Sequence, residues 1–540
     1  MGKYVIAYDI GTTGVKTCLF EIDKTIELKA AVSHGYELYI LEDGGAEQDF
    51  NEWWQAMAET TNDIFSSDEV KALGVTPNDI EGISFCSQMQ GLVCLDKDCN
   101  VIRRPMSYMD QRAKEEIKKG IANGIQIAGA NIFKLLPYLY LTGAVSCSVK
   151  DPIWKYKWIE AHEPENFKKI YKIVDVKESL IAKMTGRIIM TPDSAFGQLL
   201  YDTRKGHEGW SKFVCKMVGV NPDHLAEIVK STDVVGGLTE AAAKDLGLVP
   251  GIPVFGGGGD ASLIGVGAGA VLPGDTHIYS GTSGWVGTVV EKQTVDTGAM
   301  IAAIVGAQEG KFNYFAEHET SGKCLEWVKN HLALDEIDIY LEKKDVTESP
   351  ENFEEAYTSL YDYLSKVMAE TPAGSNGVVF TPWLHGNRCP FEDPNAAGMF
   401  FNINIETGKR SLIRSVVEGV CFQNRWMYEQ EAKKVQVSDT VRFVGGGALS
   451  DVTCQILADV LQKKVETVDS PQNVGAVGAA AVIGVGIGAI SNLEAVKDFI
   501  PASKTFEPNP ENKEVYDKNF EVFKTLYKNN KKAFKALNAC

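Results

Sequence analysis

The sequence predicts an α/β protein built from two similar domains, one over residues 1–270 and one over residues 271–540. The chain has 540 residues, of which 44% are hydrophobic and 23% are charged. These are the proportions of globular proteins with sizeable cores. Short apolar runs that end in glycine-rich turns alternate with longer stretches of helical periodicity. Two such patterns also recur, in the same order, in the two halves of the chain.

The first half begins with a predicted β-hairpin. Residues 5–10 and 15–22 are apolar runs on either side of the turn sequence GTTG at 11–14. Two apolar runs around a glycine-rich turn are typical of antiparallel strands. A helix is predicted over 51–67, because its apolar side chains fall on one face, and either Asp49 or Asn51 can cap it.

Glycine dominates the end of the first half. A predicted strand at 250–255 runs into GGGGD at 256–260, and a glycine- and alanine-rich helix is expected from there to about residue 271. At the other end of the chain, aromatic residues at helical spacing predict an amphipathic helix over 515–527. The lysines that follow it most simply form a solvated face that complements the helix C-terminus.

An internal repeat is the most informative feature of the sequence. The turn GTTG at 11–14 has a counterpart in GTSG at 281–284, each between two apolar runs. Later in each half, LIGVGAGAV at 263–271 aligns with VIGVGIGAI at 482–490, with six of nine residues identical. Because both matches come in the same order, we interpret the chain as two related α/β domains with a boundary near residue 270.

One uncharged segment resembles a membrane span. Residues 470–493 carry no charge, but five glycines and many alanines make the segment a poor lipid-facing helix. Small residues let backbones approach closely, so a buried helix packed on a sheet is the better interpretation.

Charge and cysteine usage exclude several classes of protein. With 54 basic and 72 acidic residues, the net charge is −18, which argues against a dedicated binder of nucleic acid or of anionic membranes. The 11 scattered cysteines and the absence of a signal-peptide pattern indicate reduced thiols, and hence a cytoplasmic protein. The eight histidines form no zinc-binding pattern.

The two hairpin turns are candidate phosphate sites. A turn of Gly and Thr presents several backbone N–H groups and two hydroxyls, although the same residues are common in ordinary turns. Asp9 precedes the first turn and could hold the waters of a Mg²⁺ ion, and Lys16 follows it and could reach a transferring phosphoryl group. The second turn suggests that two facing hairpins grip one polyphosphate.

Asp260 and a later glycine loop are the other candidates. Asp260 follows four glycines at a helix start, where it is either a capping residue or a general base. The GGG at 445–447 joins a predicted strand to a helix from about Asp451, a loop that suits a flat nucleotide moiety. No G-x-G-x-x-G of the dinucleotide-binding type and no Walker A sequence occurs in the chain.

Taken together, these motifs resemble those of the FGGY carbohydrate kinases, a family that includes xylulokinases, glycerol kinases and gluconokinases. The resemblance covers nearly the whole chain and rests on eight segments: DIGTTGVK at 9–16, SQMQG at 87–91, YMDQR at 108–112, PIWKYKW at 152–158, GGGD at 257–260, GTSG at 281–284, PWLHGNR at 382–388 with DPNAAG at 393–398, and RFVGGGA at 442–448.

The resemblance implies two ribonuclease H-like, actin-like ATPase domains with a cleft between them, and an ATP-dependent kinase that phosphorylates a sugar hydroxyl. It makes Asp260 the catalytic base and Met89, Gln90 and Asp110 sugar contacts, although Met89 can also be read as core packing. Mg²⁺ would lie near Asp9 and Asp260. The nucleotide contacts it implies are Gly11, Thr12, Thr13, Lys16, Gly281, Thr282, Ser283, Gly446 and Gly447.

The sequence departs from the family pattern at five positions, one of which is Tyr108 in place of the tryptophan of W-x-D-x-R. Gln90 stands where xylulokinases have the histidine of Q-M-H-G, so D-xylulose is not assumed, and another ketose, a polyol or a sugar acid stays open. Lys150 is off-pattern before the first signature, where it is either a solvated lysine or a cleft residue that would favour an acid such as gluconate. Ala161 and Asn402 are also off-pattern.

Two other functions stay open on the residues alone. An actin-like or chaperone-like ATPase would share the hairpins and the glycine loop, but it does not predict the sugar-contacting segments. A sugar sensor without turnover would bind sugar and release no ADP. The expected partners are a sugar and ATP, with no nucleic acid or membrane. Whether the chain forms a homodimer is left open by the sequence.

Overall fold

The computed structural model describes residues 2–127, 129–333 and 360–539. A seven-stranded mixed sheet forms the centre of the first half, with strand order β5-β6-β4-β1-β2-β3 and with β7 also paired to β4. Its strands are β1 Lys3–Ile10, β2 Gly14–Ile22, β3 Ile26–Gly35, β4 Ile80–Ser87, β5 Val234–Gly237, β6 Pro253–Phe255 and β7 Gly258–Gly259.

An eight-stranded mixed sheet forms the centre of the second half, with strand order β10-β11-β12-β9-β8-β13-β14-β15. Its strands are β8 Thr276–Ser280, β9 Gly284–Val290, β10 Val295–Asp296, β11 Ile301–Val305, β12 Phe312–His318, β13 Thr440–Val444, β14 Lys464–Thr467 and β15 Lys504–Phe506.

Helices surround both sheets. Those of the first half are α1 Phe50–Ser66, α2 Asp68–Leu73, α3 Lys114–Lys119, α4 Ile132–Thr142, α5 Pro152–His162, α6 Pro164–Phe167, α7 Val176–Thr185, α8 Pro192–Gly197, α9 Lys212–Val218, α10 Glu240–Leu246 and α11 Asp260–Gly267. Those of the second half are α12 Gly322–Val328, α13 Leu360–Ala369, α14 Lys409–Glu431, α15 Asp451–Leu461, α16 Val474–Gly486, α17 Val496–Phe499 and α18 Lys513–Asn538.

Short two-stranded ladders complete the β structure. They pair Tyr39–Ile40 with Ala46–Glu47, Val93–Leu95 with Lys172–Val174, Gln126–Ile127 with Ala130–Asn131, Ile189–Met190 with Glu227–Ile228, Tyr201–Asp202 with Gly209–Trp210, and Val379–Thr381 with Met399–Phe401.

The two sheets share one topology. In each, three strands pair antiparallel side by side, β1-β2-β3 in the first sheet and β8-β9-β12 in the second, where β10 and β11 intervene in the chain. The first strand of each set pairs in parallel with a later strand, β1 with β4 and β8 with β13. A further parallel strand follows, β6 in the first sheet and β14 in the second. The α/β class predicted from the sequence is therefore confirmed, and both predicted hairpins occupy the same place in their sheets.

The repeated glycine segments end two helices in the same way. Helix α11 is followed by Gly269 at φ +71°, and helix α16 is followed by Gly488 at φ +72°. The amide of Ala270 donates to Gly265 O over 2.9 Å, and the amide of Ala489 donates to Gly484 O over 2.8 Å. Both helices are therefore terminated in the same way, by a residue in the left-handed backbone conformation, for which glycine is preferred.

These two helices cross in direct backbone contact. A Cβ atom on Gly267 would lie 1.8 Å from Val474 O, and one on Gly478 would lie 2.2 Å from Leu263 O. Only glycine fits at either position. The interpretation of 470–493 as a buried helix is confirmed for α16, whose residues from Val474 to Gly484 are buried. Among the described residues, no helix is both long and apolar enough to cross a membrane.

Several predicted boundaries shift by a few residues. Helix α1 begins at Phe50, and its cap is Asp49, whose carboxylate accepts from the amide of Asn51. The strand expected from residue 250 begins at Pro253, and the helix expected to reach about residue 271 ends at Gly267. The helix expected over 515–527 is the core of the longer α18, and α15 begins at Asp451 as expected.

The close crossing of α11 and α16 predicts that one added methyl group at Gly478 lowers the thermal stability of the protein. Gly478→Ala should lower Tm by at least ~2 °C, because overpacking a tight contact costs about 1–3 kcal/mol. Gly408→Ala is the control, since a Cβ there would meet nothing within 4 Å. Thermal unfolding of both variants checks this, and an unchanged or raised Tm for Gly478→Ala would show that the helices can separate without loss.

Candidate functional site

Side chains donate hydrogen bonds to the backbone carbonyl oxygens of the first hairpin turn. The hydroxyl of Tyr36 donates to Gly11 O over 2.6 Å and to Gly14 O over 3.0 Å, and Gln48 Nε2 donates to Thr12 O over 2.7 Å. In front of the turn lies a pocket of about 410 Å³, lined by residues 9, 11–16 and 33–35. The carbonyl oxygens of Gly11, Thr12 and Gly14 are therefore already bound by protein donors.

Asp9 and Lys16 face each other across the first hairpin. They are paired in the register of β1 and β2. Burial raises the pKa of Asp9, and the positive charge of Lys16 opposes that shift. The ammonium of Lys16 also donates to Gln472 O over 3.0 Å, so it joins the hairpin to the segment that opens α16.

Asp260 is the first residue of α11. The cap of this helix is Gly259, so the alternative in which Asp260 serves as the capping residue is wrong. Its Oδ1 instead accepts from the amide of Ala261 over 2.8 Å. Burial and the negative charges of Asp9 and Glu317 raise the pKa of Asp260 to about 7. The carboxyl group can therefore take up a proton near neutral pH.

Glu317 brings acidic charge to Asp260 from the other half of the molecule. It lies in β12, and its Oε2 accepts from Arg388 Nη1 over 2.7 Å. Burial raises the pKa of Glu317, while the charges of Arg388 and, more weakly, Lys150 oppose the shift. The charge of Lys150 therefore acts on Glu317 across the two halves of the chain.

Met89 lies directly beside the glycine that caps α11. A Cβ on Gly259 would be 2.2 Å from Met89 Sδ, and one on Gly197 would be 3.6 Å from Met89 Cε. Met89 is half-buried, which differs from a side chain enclosed in the core. The absence of a side chain at Gly259 thus leaves room for Met89 next to Asp260.

The backbone of Gln90 is fixed in a left-handed conformation by two buried charges. Its φ is +62°, uncommon for a residue with a side chain. The carboxylate of Asp175 accepts from the amides of Gln90 and Gly91 over 2.7 and 2.9 Å, and Lys155 Nζ donates to Gln90 O over 2.8 Å. Burial raises the pKa of Asp175 to about 7 and lowers the pKa of Lys155 to about 8.

Asp110 is fully buried and already has several protein donors. It accepts from the amides of Ala46 and Arg112, over 2.9 and 3.1 Å, and forms an ion pair of 2.7 Å with the Arg112 guanidinium. Its charge acts on Lys155. Asp110 therefore belongs to the same buried group of charges as the support of Gln90.

The second hairpin turn packs against α12. The amide of Gly322 donates to Gly281 O over 2.7 Å, and the amide of Ser321 donates to Thr282 O over 3.0 Å. A Cβ on Gly281 would lie 2.2 Å from the hydroxyl oxygen of Tyr279. Burial and then the charges of Asp9 and Asp260 raise the pKa of Tyr279. Tyr279 thus contacts the second turn and is within electrostatic range of the two acids.

The glycine loop at 445–447 rests on the same strand end. Cβ atoms on Gly445 and Gly447 would lie 2.5 Å from Ser280 O and 2.6 Å from Ser280 Oγ. Gly445 also has φ +92°. A Cβ on Gly446, by contrast, would meet nothing within 4 Å. Two of the three glycines are therefore needed for packing, and Gly446 faces open space.

Sequence analysis did not find Tyr36, Lys155 and Asp175, which hold the first turn and Gln90, or Asp193, which accepts from the amide of Gly259. It also did not find Glu317, whose charge acts on Asp260. Asp175 carried a usable signal, because it precedes the helical stretch of α7 and accepts from the amide of Val176 as a cap does. Lys155 lies within the segment PIWKYKW, which gave it no individual role, and the others carry no local pattern.

Comparison with known proteins identifies the family. The profile for the FGGY family of carbohydrate kinases, N-terminal domain, matches residues 4–267, and the profile for its C-terminal domain matches residues 277–487. The chain belongs to the FGGY family of carbohydrate kinases. It is therefore an ATP-dependent carbohydrate kinase, and the resemblance read from the eight segments is confirmed.

Relatives and solved structures extend the match over the full chain. A xylulose kinase of Bacillus subtilis (strain 168) is 28% identical, with 99% of both chains covered, and a gluconokinase of Bacillus licheniformis is 26% identical, with 97% of this chain and 96% of that one covered. A xylulose kinase structure from Lactobacillus acidophilus has a TM-score of 0.82 at 23% identity, with 99% and 100% covered. The fold of this kinase is the two-domain, actin-like ATPase fold.

The hydrogen bonds to buried Asp175 predict that its removal lowers the stability of the kinase more than removal of an accessible turn residue does. Asp175→Ala should destabilise the kinase by about 2 kcal/mol or more, because three amides lose their acceptor inside the protein. Asp96→Ala is the control: Asp96 also accepts from two amides, of Asp98 and Asn100, in an accessible turn where water can replace it. Chemical denaturation of both variants checks this, and equal losses would contradict it.

Proposed function

We propose that this kinase phosphorylates a hydroxyl, most simply a primary one, of a small ketose or polyol, with Asp260 as general base and Mg-ATP as phosphoryl donor. The observation that carries the proposal is the setting of Asp260. Around it converge Met89 of the sugar-contacting segment, Asp9 of the first hairpin and Tyr279 of the second. The acid thus lies where a sugar and a phosphate chain would meet.

The proposed reaction is a direct transfer. The sugar oxygen forms a bond to the γ-phosphorus while the bond from that phosphorus to the bridging oxygen of ADP breaks. The hydroxyl proton passes to the carboxylate of Asp260, whose pKa of about 7 makes it a better proton acceptor than an ordinary aspartate. Most of the rate enhancement would come from holding the two substrates in line.

The two acids of this site suit a divalent cation. The charge of Asp9 raises the pKa of Asp260, so a cation between the two carboxylates would relieve repulsion in a buried setting. Carboxylate oxygens, water and phosphate oxygens are the ligands that Mg²⁺ prefers. Bound there, Mg²⁺ would supply neutralisation of the phosphate charge.

The nucleotide would lie between the two domains, which we place at 1–270 and 271–540. Thr12, Thr13 and Lys16 would face the γ-phosphate from the first hairpin, and residues 281–283 would face the polyphosphate from the second. The open space at Gly446 supports an adenosine site there, since nothing within 4 Å occupies the position of a side chain.

The charges near Asp260 favour a neutral substrate over a sugar acid. Asp9 and Glu317 are acidic, and Arg388 is already paired with Glu317 over 2.7 Å. Lys150 supports the competing candidate, a sugar acid such as gluconate, because its charge reaches Glu317 and Lys155.

Replacing the proposed base should stop turnover. Asp260→Asn should lower kcat by on the order of 10²–10⁴, the range expected for loss of a general base, with ATP affinity little changed. Asp68→Asn is the matched control, because Asp68 is likewise the first residue of its helix and is exposed. Coupled measurement of ADP release checks this, and near-normal turnover of Asp260→Asn would remove Asp260 from the role of base.

Substrate choice tests the roles of Gln90 and Lys150. We expect kcat/KM for a neutral ketose or polyol to exceed that for gluconate by at least ~10-fold, because an unpaired buried charge costs more than about 1.4 kcal/mol. Gln90→His should raise kcat/KM for D-xylulose, since it restores the Q-M-H-G pattern, and histidine tolerates a positive φ better than most residues.

The sugar-acid candidate is tested in the same assays. Lys150→Ala should leave the neutral substrates unaffected, with Lys169→Ala as the control at an exposed lysine. If gluconate is the best substrate and Lys150→Ala removes that preference, the substrate is a sugar acid. If D-xylulose is already the best substrate and Gln90→His does not improve it, the argument from Gln90 is wrong.

A further inference from the structure

A buried aspartate grips the segment that carries Asp260. Asp193 lies in the first turn of α8, and its side chain is fully buried. Its Oδ2 accepts from the amide of Gly259 over 2.7 Å and from the hydroxyl of Ser262 over 2.5 Å. These two donors lie on either side of Asp260 in the sequence, so one carboxylate oxygen binds both ends of the first turn of α11.

The other oxygen of Asp193 is held by a chain of buried groups. Its Oδ1 accepts from the hydroxyl of Thr191 over 2.5 Å. Thr191 in turn accepts from Lys177 Nζ over 2.7 Å, and Lys177 forms an ion pair with Glu178. Lys177, Glu178 and Thr191 are all fully buried. A buried carboxylate with every oxygen bound by a fixed donor has one orientation available to it.

Packing leaves this orientation no alternative. A Cβ on Gly258 would lie 3.0 Å from Asp193 Oδ2, and one on Gly259 would overlap Met89. The glycines before Asp260 therefore let the chain pass between Asp193 on one side and Met89 on the other. The position of the first turn of α11 is set by Asp193, since the helix itself has no side-chain cap.

We propose that Asp193 is a positioning residue that fixes the carboxylate of Asp260 for proton transfer, an inference that rests on Asp260 being the base. The donors to the Asp193 carboxylate are Gly259, Ser262 and Thr191. Asp193 acts through Gly259 and Ser262, and a displacement of about 1 Å in a reacting group can cost on the order of 10²-fold in rate. Replacing Asp193 is therefore expected to lower kcat and to change substrate affinity little.

The test is a double-mutant cycle of Asp193→Asn with Asp260→Asn, made in the full-length kinase with its best sugar substrate. Asp193→Asn alone should lower kcat by about 10–100-fold, with KM for sugar and ATP changed less than ~3-fold. In the Asp260→Asn background the same change should lower the residual rate by less than ~3-fold, because a group that acts through Asp260 has nothing left to position. Asp459→Asn is the control, as Asp459 is buried, accepts from the amide of Asn509 over 2.7 Å and lies in the other half.

A drop in kcat of equal size in both backgrounds would overturn the proposal, because a residue that only stabilises the fold would act regardless of Asp260. An unchanged kcat for Asp193→Asn would overturn it too. If Asp260→Asn itself keeps near-normal turnover, the proposed base is wrong, and the inference about Asp193 falls with it. That outcome is recognisable from the single Asp260 variant alone.

Ser262→Ala decides the matter if Asp193→Asn fails to fold. It removes one of the two hydrogen bonds to Asp193 Oδ2 and keeps the charge of the buried carboxylate. We expect a 3–10-fold fall in kcat that disappears in the Asp260→Asn background. A fall in sugar or ATP affinity with kcat unchanged would overturn the proposal.

Discussion

The close crossing of α11 and α16 is the contact on which the rest of the molecule depends. The two helices come from different halves of the chain, and their backbones touch at Gly267 and Gly478, where Cβ atoms would lie 1.8 and 2.2 Å from facing carbonyl oxygens. Helix α16 also lies against the first sheet, where a Cβ on Gly475 would be 3.1 Å from Asp9 Oδ2. Small residues along α16 thus bring the second half up to the strand end that carries Asp9.

Buried and half-buried side chains, most of them charged, hold the polar groups of the site in place. Asp175 and Lys155 hold the backbone of Gln90, Asp193 holds the turn around Asp260, and Tyr36 holds the first hairpin. A buried charge costs free energy unless donors and acceptors surround it, so each of these groups is rigid once its partners are in place. Rigid support of this kind is what positioning of two substrates requires.

The sequence predicted those parts of the fold that depend on residues only a few positions apart in the chain. The two hairpins, the cap of α1 and the shared end of the two glycine helices follow from turn residues and spacing within a few positions. The identity of the supports could not be predicted this way. Asp175 reaches Gln90 across 85 positions, and Asp193 reaches Gly259 across 66.

The role of Asp260 shows the same limit at a single residue. Four glycines before a helix predicted a cap or a base with equal weight. The structure assigns the cap to Gly259, because residues 258–259 pair with β4 as a short strand and the helix begins directly after them at Asp260, one residue earlier than a capping aspartate would need. Strand pairing with residues some 170 positions earlier is not visible in the local sequence.

The repeat also explains why only one half carries the proposed chemistry. In the alignment of the two turns, Asp9 corresponds to Tyr279 and Lys16 to Val286, and in the alignment of the glycine helices Asp260 corresponds to Ala479. Helix α11 begins at Asp260, whereas α16 already begins at Val474, five residues before the matching position. The second half therefore lacks both acids and the helix start that presents one of them to the cleft.

This asymmetry divides the work between two copies of one fold. In the first half, the glycine run at 256–259 precedes the helix and leaves Asp260 as its first residue. In the second half, the unbroken helix buries Ala479 and uses its small residues for the crossing with α11. In the proposed site, one copy of the domain would supply the reacting acid and the other a packing surface, and the hairpin turn retained in both copies would face the phosphates.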